Sequence, residues 1–484
     1  MADTIIAGAT LYDGSGAAPY RADVTLRDDR ILAVAPAGAP RGSDTATVID
    51  AGGLALAPGF IDAHTHDDLV AVTAPAMLPK ITQGVTTVVV GNCGISAGAG
   101  RAGEAALPDP MVLLGPASAF AYDDFAAYAA AVDAALPATN VVALVGHTAL
   151  RARHLDRLDR DAAEDERAAM RDELAAALDA GAFGLSTGLA YANAAAASTE
   201  EVMAVAAALR GTGGLYATHL RSEGAAIVPA IDEAVAIARD AAAPLVVSHL
   251  KCAGASQYGR SREILARLEA AAATHPTGCD CYPYTASSST LDLAQVVPET
   301  PILITWSDAA PDQAGRMLAD IAADWNCELR EAARRLQPAG AVYHCMAESD
   351  VDRILAHPLT MIGSDGLPCD PRPHPRLWGS FPRVLAHYVR ERGLLALPEA
   401  IRKMTGLTAD RLGLRDRGYV RAGLAADLVL FDPARVIDRA GYDDPVRAAE
   451  GVLGLWVNGV ATLDRGGVTG ARGGRLLRRP GAGA

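Results

Sequence analysis

His64 and His66 close the run Gly59-Phe60-Ile61-Asp62-Ala63-His64-Thr65-His66, and His219 closes Leu215-Tyr216-Ala217-Thr218-His219. His249 ends Leu245-Val246-Val247-Ser248-His249, and Asp365 ends Met361-Ile362-Gly363-Ser364-Asp365. Imidazole nitrogens and carboxylate oxygens are ordinary zinc ligands. Side chains along a strand alternate between its faces, so His64 and His66 point the same way and can share one ion. A lone buried histidine is commonly satisfied by the core around it. Several such residues, each closing a short apolar run, point instead to one convergent metal site.

The elements that must position them can be read from the same runs. Eight candidate strands follow in order: Phe60 to His64, Val85 to Cys93, Val141 to His147, Phe183 to Thr187, Leu215 to His219, Leu245 to His249, Gly278 to Tyr282 and Leu359 to Asp365. Helical patterns fill several gaps, at Ala162 to Ala180, at Ser198 to Leu209 behind a Ser-Thr-Glu-Glu start of capping-box type, and at Ala226 to Ala241. This alternation predicts an α/β fold with a (βα)8 TIM-like barrel, whose chemistry gathers at the C-terminal ends of the strands. The competing arrangement is an open doubly wound sheet, in which the ligands converge less well.

The stretch from Thr285 to Tyr343 is too long for an ordinary βα connection. It predicts an inserted cap, at about residues 285–345, with a helical stretch from Asp312 to Arg335 and a further strand candidate at Val342 to Met346. Short strands with turn signals mark both chain ends, at Asp3 to Ala7, Ala22 to Leu26 and Ile31 to Ala35, and again at Ala426 to Phe431, Leu453 to Val457 and Ala461 to Leu463. Residues 1–57 and 415–484 are therefore expected to form one small β-sandwich domain around a barrel spanning 58–414, with the last dozen residues as a loose tail.

Composition narrows the function. No apolar run reaches the roughly twenty residues of a membrane helix, and the N-terminus lacks the basic and apolar regions of a secretory leader. Seven scattered cysteines are unlike a disulfide framework. These features predict a cytoplasmic chain without a membrane partner. The formal charge of −14 argues against a nucleic-acid partner while leaving room for a local basic pocket. Oligomeric state is not legible.

The His-x-His pair, the two single histidines and the closing aspartate together resemble the amidohydrolase superfamily. So do Ala57-Pro58-Gly59-Phe60-Ile61-Asp62, Gly84-Val85-Thr86-Thr87 and Gly423-Leu424-Ala425-Ala426-Asp427-Leu428-Val429, and the likeness runs over nearly the whole chain. Many members bridge two metals with a carboxylated lysine on strand four, but Phe183 to Leu189 holds no lysine. Cys93, in Gly91-Asn92-Cys93-Gly94, instead resembles the D-aminoacylase branch, the N-acyl-D-amino-acid deacylases.

That resemblance implies a tight zinc site of Cys93, His219 and His249, and a second, weaker one outlined by His64, His66, Cys93 and Asp365. It implies metal-assisted hydrolysis of an N-acyl-D-amino acid to a free D-amino acid and a carboxylate, with Asp365 as general base. Lys251, Tyr282, Ser288 and Arg376 resemble positions that bind the substrate carboxylate, and the planar Arg376 fork suits two-point recognition. The alternatives are a cyclic-amide hydrolase of the dihydropyrimidinase or hydantoinase kind and a barrel scaffold without activity. His147, Asp67 and Asp68 are weaker candidates at the mouth, and Cys279 and Cys281 are expected to turn away from it.

Overall fold

Parallel strands in chain order form the centre of the computed structural model, which describes residues 3–39, 45–99 and 107–482. Met1 and Ala2 lie outside the described residues. One three-stranded parallel sheet orders Phe60–Asp62, Val85–Val90 and Asn140–Ala143. A six-stranded sheet runs through Val145–Gly146, Gly184–Gly188, Leu215–His219, Leu245–Val247, Thr277–Cys281 and Thr360–Ile362, every pair parallel.

The two sheets meet at both margins. Only Leu144 separates Ala143 from Val145, and Leu144 N–H donates to Val90 O at 3.0 Å. On the other side Ala63 N–H donates to Ile362 O at 3.2 Å and Asp365 N–H to His64 O at 2.8 Å. Strands buried on both faces need apolar side chains at successive positions, as in Val88, Val89 and Val90. Alternation divides them between two cores. Ile61, Val89, Val142, Leu215, Val246 and Met361 share one inner cluster, while Phe60, Val88, Val141, Tyr216, Leu245 and Ile362 pack in the large outer one with the helices.

The helices fall where the patterns predict them, as Glu164–Asp179, Thr199–Ala206 and Ile227–Asp240. Ser198 caps the second by accepting the Glu201 N–H at 3.0 Å. The Glu201 carboxylate does not complete the capping box; it turns inward, where its Oε2 accepts the Ala162 N–H at 2.6 Å.

Both chain ends enter one nine-stranded mixed sheet, in which Ala55–Pro58 pairs with Thr4–Leu11 on one side and Leu428–Phe431 on the other. Leu56, Leu428, Leu430 and Trp456 face the sheet's own core, and Ala57, Val429, Phe431 and Val457 pack into the large outer cluster. The Asn458-Gly459 hairpin turn has positive φ at both residues, 47° and 78°, as a tight two-residue turn requires.

The segment after Thr285 forms a three-stranded antiparallel sheet of Ser287–Thr290, Ala339–Tyr343 and Ile302–Ser307. The strand candidate near Val342 thus belongs to the insertion. The helical stretch predicted from Asp312 to Arg335 is broken into Leu318–Asp324 and Leu329–Leu336, because Gly315 and Asn326 adopt left-handed φ of 85° and 49°.

The predicted loose tail is a second correction. Leu476 pairs with Val141 in a parallel bridge and is 2 % exposed. Leu477 joins the inner cluster beside Leu407, Leu412 and Leu414, and Arg479 donates to Leu178 O at 3.1 Å. The chain end is a strap fixed by two leucines; its final residues, 483 and 484, lie outside the described residues.

Candidate metal centre

All six predicted ligands converge. Among the described residues, His64, His66, Cys93 and Asp365 form one potential metal-holding group and Cys93, His219 and His249 another, with ligand atoms within 4.8 Å of one another in each. Cys93 belongs to both. Its Sγ lies 3.3 Å from His64 Nε2 and 3.3 Å from His249 Nε2. Asp365 Oδ1 lies 3.2 Å from His66 Nε2 and 3.5 Å from His64 Nε2.

Most strands stop short of the predicted ends, so the ligands sit on the turns beyond them. Val85–Val90 ends before the Gly91 turn, Leu245–Val247 before His249 and Thr360–Ile362 before Asp365. At these turns Cys93, His249 and Asp365 have φ of 54°, 34° and 50°. Left-handed backbone costs a non-glycine residue on the order of 1–3 kcal/mol and persists where the surroundings enforce it, which is a recurring property of functional sites.

The imidazoles are oriented from behind. Asp280 Oδ2 lies 3.4 Å from His64 Nδ1, and Asp280 Oδ1 accepts the His249 backbone N–H at 2.9 Å. Glu223 Oε1 lies 3.0 Å from His249 Nδ1. A carboxylate on one ring nitrogen fixes the tautomer and leaves the other nitrogen for a metal. Burial works to raise the Cys93 thiol pKa, but His64 and His249 outweigh it and hold the group well below the usual thiol range. Burial likewise opposes ionisation of Asp365, yet the Arg376 guanidinium and His66 hold its carboxyl well below the usual range. For His66 burial is outweighed by Asp365 and Cys93, which carry its pKa up to about 9.

This donor set fits zinc: a thiolate, imidazoles and a carboxylate, all buried except for His219, which is slightly exposed. The buried Nδ1 of His219 has no hydrogen-bond partner in the protein, as expected where a ligand takes up part of the bonding capacity.

The four predicted substrate contacts border this centre. Arg376, 1 % exposed at the start of helix Arg376–Arg383, places Nη1 2.9 Å from Asp365 Oδ2. Its Nη2 donates to Ser288 O at 3.1 Å, and its Cζ stands 4.7 Å from the centre of the Tyr282 ring. Arg376 Nε, Tyr282 Oη and Ser288 Oγ are buried without a hydrogen-bond partner. Lys251 is differently placed: its Nζ lies 2.5 Å from Glu223 Oε1 and 2.8 Å from His249 Nδ1, so its charge is already engaged.

Glu223, Asp280, Lys80 and Tyr191 escape the sequence reading. Tyr191 packs edge-on against His219, with ring centres 4.9 Å apart. Lys80 Nζ, fully buried, contacts Asp62 Oδ2 at 2.9 Å, Asp67 Oδ2 at 3.1 Å and Ser364 Oγ at 2.9 Å, bracing the segments that carry His64 and Asp365. The signal for Asp280 was present, since alternation puts it on the same side as Tyr282. Glu223 stands four residues after His219 in an otherwise unremarked loop. His147 begins a helix instead of ending a strand, and its Nε2 lies 3.1 Å from Glu201 Oε1, outside both metal groups. Cys279 contacts Thr360 Oγ1 at 3.3 Å and belongs to neither group.

The amidohydrolase family matches residues 47–462. An N-acyl-D-aspartate deacylase of Alcaligenes xylosoxydans xylosoxydans is 48% identical over 96% of this chain and 92% of its own length. A D-aminoacylase from the same organism is 47% identical over 99% and 98%. Among solved structures, an N-acyl-D-glutamate deacylase from Bordetella bronchiseptica, complexed with zinc and a phosphonate mimic of the tetrahedral intermediate, is 43% identical, covers 99% of both chains and superposes with a TM-score of 0.93. With Cys93 shared by two potential metal-holding groups and this degree of likeness along its whole length, the chain belongs to the amidohydrolase family, in its D-aminoacylase branch.

Proposed function

We propose that this chain is a zinc-dependent hydrolase that cleaves N-acyl-D-amino acids to a free D-amino acid and a carboxylate. The observation that carries the reading is the junction of two sites. Cys93 links the metal-ligand groups, and Arg376 spans from Asp365 to the Ser288 carbonyl and the face of the Tyr282 ring, beside the unpartnered hydroxyls of both residues. The eight parallel segments, joined at both margins, support a (βα)8 barrel, 58–414, capped by about 285–345. The shared terminal sheet of 1–57 and 415–484, with its own core, supports the β-sandwich domain.

Zinc at such a site supplies Lewis acidity toward the amide carbonyl and a water activated near neutral pH. Cys93, His219 and His249 would hold the tighter ion, and His64, His66 and Asp365 would complete a weaker second position around the same thiolate. Asp365 accepts the proton of the attacking water and delivers it to the departing amine nitrogen. Arg376 keeps that carboxylate ionised. Arg376 Nε, Tyr282 Oη and Ser288 Oγ hold the substrate carboxylate, while Lys251, its charge paired with Glu223, contributes less than the other three predicted contacts. Fixing the carboxylate relative to the Asp365 base sets which α-carbon configuration presents its acyl group correctly.

A cyclic-amide hydrolase is not favoured, since the close relatives are named for acting on open-chain N-acyl-D-amino acids. The scaffold alternative loses ground to the complete ligand set. Among the described residues no helix is long and apolar enough to cross a membrane. Metal analysis of the purified protein and of Cys93→Ala tests the reading. Stoichiometric zinc in the wild type, with zinc and deacylase activity both lost in the variant, is expected; wild-type protein without stoichiometric zinc would exclude it.

A further inference from the structure

The turn Gly91-Asn92-Cys93-Gly94 is held in an unusual shape. Gly91, Cys93 and Gly94 have φ of 75°, 54° and 77°, so the ligand-bearing residue is a non-glycine in left-handed backbone, next to Gly94 and two residues after Gly91. The turn is wedged into the neighbouring strands. A Cβ on Gly188 would lie 2.1 Å from Cys93 O, and one on Gly146 2.4 Å from Gly94 O. One side chain reaches across the turn. Ser186, fully buried on strand Gly184–Gly188, accepts the Gly94 N–H through Oγ at 3.0 Å and donates to Gly91 O at 2.5 Å. A single hydroxyl thus closes the loop on both sides of Cys93, using its donor and an acceptor lone pair together.

We propose that Ser186 is a positioning residue for the metal centre, holding Cys93 in the left-handed conformation that presents its thiolate to both ligand groups. The inference rests on the reading of Cys93 as a metal ligand. Without the clamp, Cys93 can relax toward ordinary backbone angles and draw Sγ away from His64 and His249. Groups that orient metal ligands are typically worth about 10–100-fold in metal affinity or activity.

The test compares full-length wild type, Ser186→Ala, Ser186→Thr and Cys93→Ala. Zinc release to a chromogenic chelator is timed, and the near-ultraviolet thiolate-to-cobalt band is recorded after cobalt replaces zinc. Ser186→Ala is expected to release zinc about 10-fold faster or more, with a weakened or shifted band and a kcat that falls while KM stays constant. Ser186→Thr, which keeps the hydroxyl, is expected to restore release rate and band. A folded Ser186→Ala with wild-type release and band would overturn the proposal. If Ser186→Ala does not fold, Ser186→Thr decides: wild-type behaviour supports the clamp, and a lost band refutes it. A cobalt band that survives in Cys93→Ala would indict the ligand reading itself, separately from Ser186.

Discussion

Arg376 Nη1 lies 2.9 Å from the Oδ2 of Asp365, so one buried guanidinium touches the predicted base while its Nε remains unpartnered beside Tyr282 and Ser288. A planar fork can hold two carboxylates at a fixed separation, whereas an ammonium is a point charge. Arg376→Lys is therefore expected to lower kcat/KM for an N-acyl-D-amino acid by about 100-fold or more, the scale of a small misplacement of reacting groups. Zinc content should stay at the wild-type level. An unchanged rate would remove Arg376 from the substrate site.

Asp365 belongs to the group with His64, His66 and Cys93 but not to the group of Cys93, His219 and His249. Replacing it by Asn keeps the size and removes the base. We expect kcat to fall by about 100- to 10,000-fold, the usual range for a general base, while the chain retains one zinc. Loss of all zinc, measured by elemental analysis, would show that Asp365 is a structural ligand first.

Glu201 offers a test of stability that leaves the metal alone. Its Oε1 lies 3.1 Å from His147 Nε2 and against Arg151 Nη1, all three side chains fully buried. Burial would raise its pKa, but hydrogen bonding and charge at His147, with further hydrogen bonds to Asp161 and Arg151, outweigh that and hold the carboxyl below its usual range. A folded-state pKa below the unfolded one contributes stability that is complete above the ordinary glutamate value of about 4.3 and is lost as pH falls below it. Glu201→Gln, which strands the buried Arg151 guanidinium, should cost about 3–5 kcal/mol at pH 7 by denaturant unfolding. The gap to wild type should narrow below about pH 4; a gap that stays constant into acid would contradict this pairing.

The convergence of His64, His66, His219, His249 and Asp365 is legible because their apolar runs end on them, whereas Cys93 enters through the family resemblance; strand Leu215–His219 lies where its pattern puts it. The backbone that presents the ligands was not. Nothing in the sequence marks left-handed φ at Cys93, His249 and Asp365, because only glycine signals such angles openly and the strain is imposed by tertiary contacts. The half-made capping box has the same origin. Glu201 has the right spacing to cap, but Arg151 and His147 compete for its carboxylate, and their proximity arises only in the fold.

At the chain end, glycine and arginine concealed two core leucines. Leu476, buried against Val141, is expected to cost about 2–5 kcal/mol when replaced by Ala, the range for a core leucine. A loose tail would cost nothing, and the urea midpoint of Leu476→Ala distinguishes the two.

The most direct test offers zinc-loaded protein the N-acetyl derivatives of D-methionine, D-aspartate and D-glutamate, their L enantiomers and dihydrouracil in parallel, and measures hydrolysis of each. Release of a free D-amino acid from at least one D derivative, with its L enantiomer left essentially untouched, is the predicted result; turnover of dihydrouracil alone, or equal turnover of both enantiomers, would contradict the account.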